Sequence, residues 1–183
     1  MKINTSPSVV IRIILWFAML FGGAFVSLRI DQNTPLFHNG WFHLLSAIIG
    51  IFIIMLAFRS AGNGGRELTK GRVGDIPRLE TNKLVTTGIY SCMRHPMLFG
   101  LTLLPLGWAF LIGSPTFITT IAPCEMLFIV FMVIVFEERE VKQKFNQEYE
   151  VYRKKVPLVS FKKKCLKMLF AKQNKKAFLS DLK

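Results

Sequence analysis

Acidic residues are scarce in this chain. Of 183 residues, 11 are Asp or Glu, against 24 Lys or Arg, for a net charge of +13. Cysteine is scarcer still. Cys92, Cys124 and Cys165 are the only three, and their spacing suggests neither a disulfide framework nor a metal-ligand pair. A zinc or iron–sulfur reading has almost no support. The sequence also lacks a Ser–His–Asp order, a Walker-type phosphate loop, a dinucleotide fingerprint and a paired-His metal motif. What is abundant is apolar: 51% of residues are hydrophobic, 17 of them Phe. A chain this apolar is not disordered. A soluble fold of this length would have too little interior to hide so much Phe, Leu and Ile. Segregation resolves the conflict, with apolar spans in a bilayer and basic segments beside it. The length allows one domain.

The expected fold is all-α, a multi-pass membrane bundle of about four transmembrane helices with a C-terminal amphipathic cytoplasmic helix. The first span is roughly Val9–Leu28, and its uncharged stretch, Ile13 to Leu28, is flanked by Arg12 and Arg29, which can snorkel to the interfaces. A cleaved signal peptide is the alternative for this segment, because Gly22-Gly23-Ala24 resembles a cleavage site. The second is Gly40–Phe58. The third and fourth, Met97–Gly113 and Pro115–Phe136, share one apolar block divided at Gly113-Ser114-Pro115. At ~1.5 Å per residue these arms reach about 25 and 33 Å, so one barely crosses and the other tilts.

Net positive charge falls in segments 1–12, 59–95 and 139–183, and the last carries a net +10, while 29–43, with Arg29 and Asp31, is neutral. The positive-inside rule then places both termini and the middle loop in the cytoplasm. The membrane would be the endoplasmic reticulum in a eukaryote or the inner membrane in a prokaryote. The middle loop, Arg59–Arg94, holds Gly62, Gly64, Gly65, Gly71, Gly74 and Gly88 and reads as irregular backbone. Glu140–Tyr152 reads as a polar helix with one apolar stripe, Val141, Phe145, Tyr149 and Tyr152, ended by Pro157. Phe161–Leu179 reads as a Lys-rich amphipathic helix lying on anionic membrane lipids. Cys165 is a candidate for palmitoylation, although an unmodified thiol is the simpler reading. Nucleic acid is not the expected partner of the basic tail, because the chain is tethered to a bilayer.

Polar groups beside membrane spans are functional candidates. Arg94-His95-Pro96 opens the third span and Glu137-Glu138 closes the fourth. Antiparallel arms bring both clusters to one interface. That interface suits a cationic polar ligand together with a lipid-dissolved one. Glu125, inside the fourth span, either faces the bundle interior or snorkels, and no partner is legible.

These clusters and their flanks resemble a known superfamily. Leu84-Val85-Thr86-Thr87-Gly88-Ile89-Tyr90, Arg94-His95-Pro96-Met97, Gly100, Glu137-Glu138, Phe145, Glu148-Tyr149, Tyr152 and Val156-Pro157 occur in order across residues 82–157. The pattern is similar to that of the isoprenylcysteine carboxyl methyltransferase and phospholipid methyltransferase superfamily of membrane enzymes. The resemblance implies S-adenosylmethionine as cofactor and a lipophilic or lipidated substrate. It implies cofactor binding by Asn82, Lys83, Leu84 and Val85, largely through backbone. Tyr90, the stretch His95, Pro96, Met97 and Leu98, and the carboxylate Glu137 would complete that set. It divides the chain into an N-terminal transmembrane hairpin (1–60), a methyltransferase core (61–160) and a basic membrane-surface tail (161–183). Two departures stand out. Leu98 replaces a usual Tyr. Val133 replaces the Arg that contacts the substrate carboxylate in the prenylcysteine enzymes, which argues against a prenylcysteine C-terminus and leaves an amine, thiol or other lipid-soluble nucleophile open, with the choice among amine, thiol and carboxylate acceptors unresolved. The competing class is a non-catalytic membrane scaffold or adaptor with a lipid-binding polybasic tail.

Overall fold

The computed structural model describes residues 7–74 and 81–171. Helix α1 spans Pro7–Asp31 and α2 spans Gly40–Thr69. A 3-10 turn, Gly88–Ser91, precedes α3 at Pro96–Ile112. Helix α4 runs from Phe117 to Lys155, and α5 from Lys163 to Phe170. Among the described residues there is no strand.

Three helices, α1, α2 and α4, are long and apolar enough to cross a membrane, while α3 is apolar but has 17 residues. Their outer faces leave Phe25, Trp41, Ile51 and Leu127 more than half exposed, as lipid-facing side chains would be. The backbone leaves helical geometry at Asn146 (φ 44°), so the part of α4 before it, from Phe117 to Phe145, is about 43 Å long at ~1.5 Å per residue, longer than a hydrocarbon core of ~30 Å. Its apolar run ends at Phe136, and the portion from Glu137 onward is polar.

Apolar surfaces in lipid gain little from burial against one another, so close backbone approach must hold the helices together. Glycines supply it between α2 and α3. A Cβ on Gly50 would lie 2.5 Å from the Leu111 amide nitrogen, and one on Gly100 would lie 2.5 Å from the Ala57 carbonyl. Hydroxyls tie both ends of this hairpin: Ser46 donates to the Phe110 carbonyl and Ser60 to the Pro96 carbonyl. Gly113 closes α3 in the left-handed conformation, φ 71°. Beyond it, the fully buried Asp31 at the end of α1 accepts from the Ser114 and Thr116 hydroxyls and from the Thr116 amide. The carboxylate satisfies donors at the start of the next helix that would otherwise be orphaned.

Two expectations are corrected. Helix α2 does not stop at Phe58. It continues to Thr69 through Gly62, Gly64 and Gly65. Tertiary contacts outweigh glycine's weak helix propensity there: Gly64 packs on Met97, and the buried Asn63 amide donates to the Leu169 carbonyl at 2.6 Å. The cysteines are not all free either. Cys92 and Cys165, 73 residues apart in sequence, form a disulfide. The fold supplies that proximity by docking the apolar face of α5 on the 3-10 turn, where Cys165 and Leu169 join Val85, Ile89, Tyr90 and Met93 in one cluster. The described part of the tail therefore buries its apolar face against protein, with Lys163, Lys164 and Lys167 outward. Residues 172–179 of the expected tail helix lie outside the described residues.

Candidate functional site

The site forms where α3 begins and the apolar part of α4 ends. Pro96 occupies the first turn of α3, so the helix starts directly after Arg94-His95. The preceding backbone is held from outside: the Arg94 amide donates to the Pro157 carbonyl at 3.0 Å and the His95 amide to the Leu158 carbonyl at 3.2 Å. On α4 a π-helical turn, Val133–Glu137, shifts the register just before the carboxylate pair. Such turns often mark functional positions.

Glu138 is the hub. Arg94 donates to its Oε1 at 2.7 Å, His95 Nε2 lies 2.7 Å from the same oxygen, and the Tyr149 hydroxyl donates to it as well. Burial alone would raise the Glu138 pKa. Hydrogen bonds from His95, Tyr149 and Arg94, with the Arg94 charge, instead bring it down to about 2. An ionised Glu138 fixes the hydrogen of His95 on Nε2 and turns Nδ1 toward Glu137, 3.6 Å away. The two carboxylates thus differ. The Glu138 side chain is 11% exposed and saturated with donors, whereas that of Glu137 is 41% exposed. Glu137 is the more open of the two.

Tyr90 is buried, and its hydroxyl is held well above its ordinary pKa, by burial first and then by the charges of Tyr152, Glu137 and Glu67. Both carboxylates are therefore within electrostatic reach of Tyr90. Its carbonyl accepts from the Tyr152 hydroxyl at 2.6 Å. Glu67, near the end of α2, accepts from the Thr87 hydroxyl at 2.9 Å and pairs with Lys70 at 3.1 Å. It lies against Gly88, whose φ of 55° and lack of a Cβ admit the carboxylate. Glu67 thereby pins the turn that carries Tyr90.

The remaining expected residues divide. Asn82 is exposed, and its amide exchanges two hydrogen bonds with the Val73 backbone, at 2.8 and 2.6 Å. Lys83 is exposed, and its amide donates to the Gly71 carbonyl. Leu84 packs under Tyr149 and Tyr152, and Val85 joins the α5 cluster. Met97 meets Gly64. Leu98 is buried with Ile129, Val133 and Trp16. Along this last group runs an apolar groove between α1, α3 and α4, lined by Trp16, Met19, Leu101, Phe128 and Met132 and ending at Glu137. The fold thus brings together His95, Glu137 and the groove, with Tyr90 within electrostatic reach of Glu137. It leaves Asn82 and Lys83 on the outer edge. The sequence reading missed Glu67 and the pairing role of Glu138. Glu67 was hidden because its segment read as irregular loop, which removed the helical spacing that aims it at Gly88.

A carboxylate lining an apolar groove, with an imidazole beside it, can hold a cationic polar group against a lipid-dissolved one. Comparison with known proteins agrees in kind. Protein-S-isoprenylcysteine O-methyltransferase B of Arabidopsis thaliana is 33% identical over 117 residues, covering 63% of this chain and 56% of that protein. A probable protein-S-isoprenylcysteine O-methyltransferase of Oryza sativa subsp. indica is 32% identical over 114 residues, covering 62% and 56%. The protein-S-isoprenylcysteine O-methyltransferase of Schizosaccharomyces pombe is 38% identical over 81 residues, covering 44% and 34%. The chain spans about half the length of the plant relatives. No solved structure matches it. The pattern of the phospholipid methyltransferase family matches residues 39–148, which is more than half of the chain and holds both the groove's α3 and α4 walls and the His95–Glu137 cluster, and the chain belongs to that family.

Proposed function

We propose that this chain transfers a methyl group from S-adenosylmethionine to a lipophilic acceptor at the cytoplasmic face of a membrane. The observation that carries the reading is the placement of Glu137 beside His95 at the polar end of a groove otherwise lined by apolar side chains. The donor set fits a sulfonium cofactor. Glu137 and Glu67 provide negative potential around Tyr90, and the segment Asn82–Val85, whose Asn82 side chain and Lys83 backbone amide are already held by Val73 and Gly71, would contribute through its remaining backbone groups.

S-adenosylmethionine supplies, when bound, a methyl group already activated for displacement. The chain's own work is then mainly positioning and exclusion of water. Glu137 holds cationic and hydroxyl groups of the bound ligand. His95, with Nε2 locked on Glu138, presents Nδ1 to the same space. The groove walls keep water away and align the acceptor with its lipid part between α1 and α4. Val133, buried between Leu98 and Ile129, offers no charge to an acceptor carboxylate, which favours an amine or thiol.

We read α3 as a fourth, short span, which puts both termini on the cytoplasmic side. The outward lysines of α5 then face anionic head groups. The test begins with thermal unfolding of the purified chain in nanodiscs. S-adenosylhomocysteine should stabilise it saturably, and Glu137→Gln should weaken that effect. Labelled methyl transfer to prenylcysteine, lipid-thiol and phospholipid-amine acceptors then identifies the substrate. No stabilisation and no transfer would leave the scaffold reading.

A further inference from the structure

The Cys92–Cys165 disulfide ties α5 to the turn that carries Tyr90. Cys92 caps that 3-10 turn, two residues after Tyr90, and Cys165 lies in the first turn of α5. Cys165 and Leu169 share one buried cluster with Val85 and Tyr90, two of the expected cofactor contacts. Besides that cluster, α5 is fastened by the Asn63 amide, which donates to the Leu169 and Ala171 carbonyls at 2.6 and 3.1 Å, and by Phe99, which meets Phe161 and Phe170 edge-on. A helix of 8 residues is marginal on its own. The chain before it is held at Pro157 and Leu158, whose carbonyls accept from the Arg94 and His95 amides. With the bond gone, only the segment after Leu158 is free to lift.

The surroundings of the bond make it reducible. Cys165 is 5% exposed, whereas Cys92 is only partly buried, so Cys92 is the sulfur that an attacking thiolate meets. The leaving group is then Cys165, the third residue of α5. The first N–H groups of that helix have no intrahelical acceptor, and its cap, Lys162, has no side-chain acceptor to offer them. Lys162, Lys163, Lys164 and Lys167 flank Cys165 in sequence, and residues 151–180 contain no Asp or Glu. Both features favour a thiolate at Cys165. A stabilised leaving thiolate speeds reduction and favours the reduced form. On the cytoplasmic side of a membrane, thiol reductants are at hand.

We propose that this bond is a redox latch. In the disulfide form α5 is locked against the Tyr90 turn. In the dithiol form α5 lifts, and affinity for S-adenosylmethionine falls. A thiolate of glutathione, or of a dithiol reductant, attacks the Cys92 sulfur. The S–S bond breaks, its electron pair leaves on Cys165, and a mixed disulfide remains on Cys92. A second reductant thiolate attacks the outer sulfur of that mixed disulfide. It releases Cys92 as a thiolate and the reductant as its own disulfide. The two protein thiolates take up the two protons that the reductant thiols gave up. Glutathione disulfide reverses the sequence. The effect on cofactor affinity and the cytoplasmic placement rest on the proposed function; the movement of α5 does not.

The test equilibrates the full chain in nanodiscs with mixtures of reduced and oxidised glutathione. Alkylation of Cys92 and Cys165 reads the bond. Trypsin cleavage after Lys163, Lys164 or Lys167 reads α5, and thermal unfolding with S-adenosylhomocysteine reads the cofactor site. Cleavage should rise over the glutathione ratios at which the two thiols appear. The ligand concentration for half-maximal stabilisation should rise on the order of tenfold in the reduced form, as a site competent about one time in ten would show. Cys165→Ser should behave as the reduced chain at every ratio, and Cys124→Ser, at the exposed free cysteine, as the wild type. A bond that stays closed across the series, equal cleavage of the two forms, equal ligand potency in the two forms, or global unfolding on reduction overturns the inference. If S-adenosylhomocysteine stabilises neither form while cleavage still follows the bond, the latch stands and the methyl-transfer reading alone falls.

Discussion

Glu138 Oε1 lies 2.7 Å from His95 Nε2, across 43 residues of sequence, and joins the first turn of α3 to the point where α4 leaves its apolar run. The same carboxylate binds Arg94, whose side chain is 10% exposed. This junction fixes the direction in which Glu137 and the remaining imidazole nitrogen face.

Glu138→Gln should therefore be costly to folding. It leaves a nearly buried guanidinium without its counter-charge, a loss of about 3 kcal/mol or more. Glu137→Gln, at a far more open position, should change stability by less than about 1 kcal/mol while weakening stabilisation by S-adenosylhomocysteine. Unfolding curves of the two variants with and without that ligand check the contrast.

The same pair sets a pH dependence. Glu138 titrates at about 2 when folded, against 4.5 for a free carboxyl. A depressed folded pKa contributes stability that is complete above the unfolded value and is lost as pH falls toward the folded one. Stability should hold above pH ~4.5 and decline between ~4.5 and ~2. That decline should be shallower in Glu138→Gln, as measured by denaturation across the acid range.

Cys92 and Cys165 close a loop of 73 residues. Reduction, or Cys92→Ser, should lower stability by up to about 4.4 kcal/mol, the chain-entropy value for a loop of this length. The loss should appear as easier proteolysis at α5. Thiol labelling without reductant should modify Cys124, which is exposed, and spare the bonded pair.

Two glycines in membrane helices should behave oppositely. At Gly100 a methyl group meets the Ala57 carbonyl at 2.5 Å and the Ala61 amide nitrogen at 3.0 Å, and backbone cannot move aside cheaply. Gly100→Ala should cost about 1–3 kcal/mol. At Gly22 nothing lies within 4 Å. Gly22→Ala should be neutral, or stabilising by up to ~1 kcal/mol through helix propensity. Thermal unfolding of both variants in one lipid composition decides.

Much of this molecule was legible from patterns with a local cause. Runs of apolar residues make helices, Gly113-Ser114-Pro115 breaks one, and the Val141, Phe145, Tyr149, Tyr152 stripe buries its aromatics as its spacing requires. The meeting of Arg94-His95 with Glu137-Glu138 also followed, because two apolar arms joined by a short break must run antiparallel. Other features have no local signal. Helix α2 continues through three glycines because Asn63 and Gly64 find partners on α5 and α3. The Cys92–Cys165 bond exists because α5 docks there. Which of two adjacent carboxylates is buried and which is open depended on the Arg94, His95 and Tyr149 donors converging on Glu138. Sequence by itself determined the helices and the interface at which the polar groups gather, since both follow from hydrophobicity and chain connectivity. Tertiary packing alone decided which carboxylate stays open, the disulfide and the burial of Glu125 against Gly23 of α1, because each is set by contacts between segments far apart in the chain.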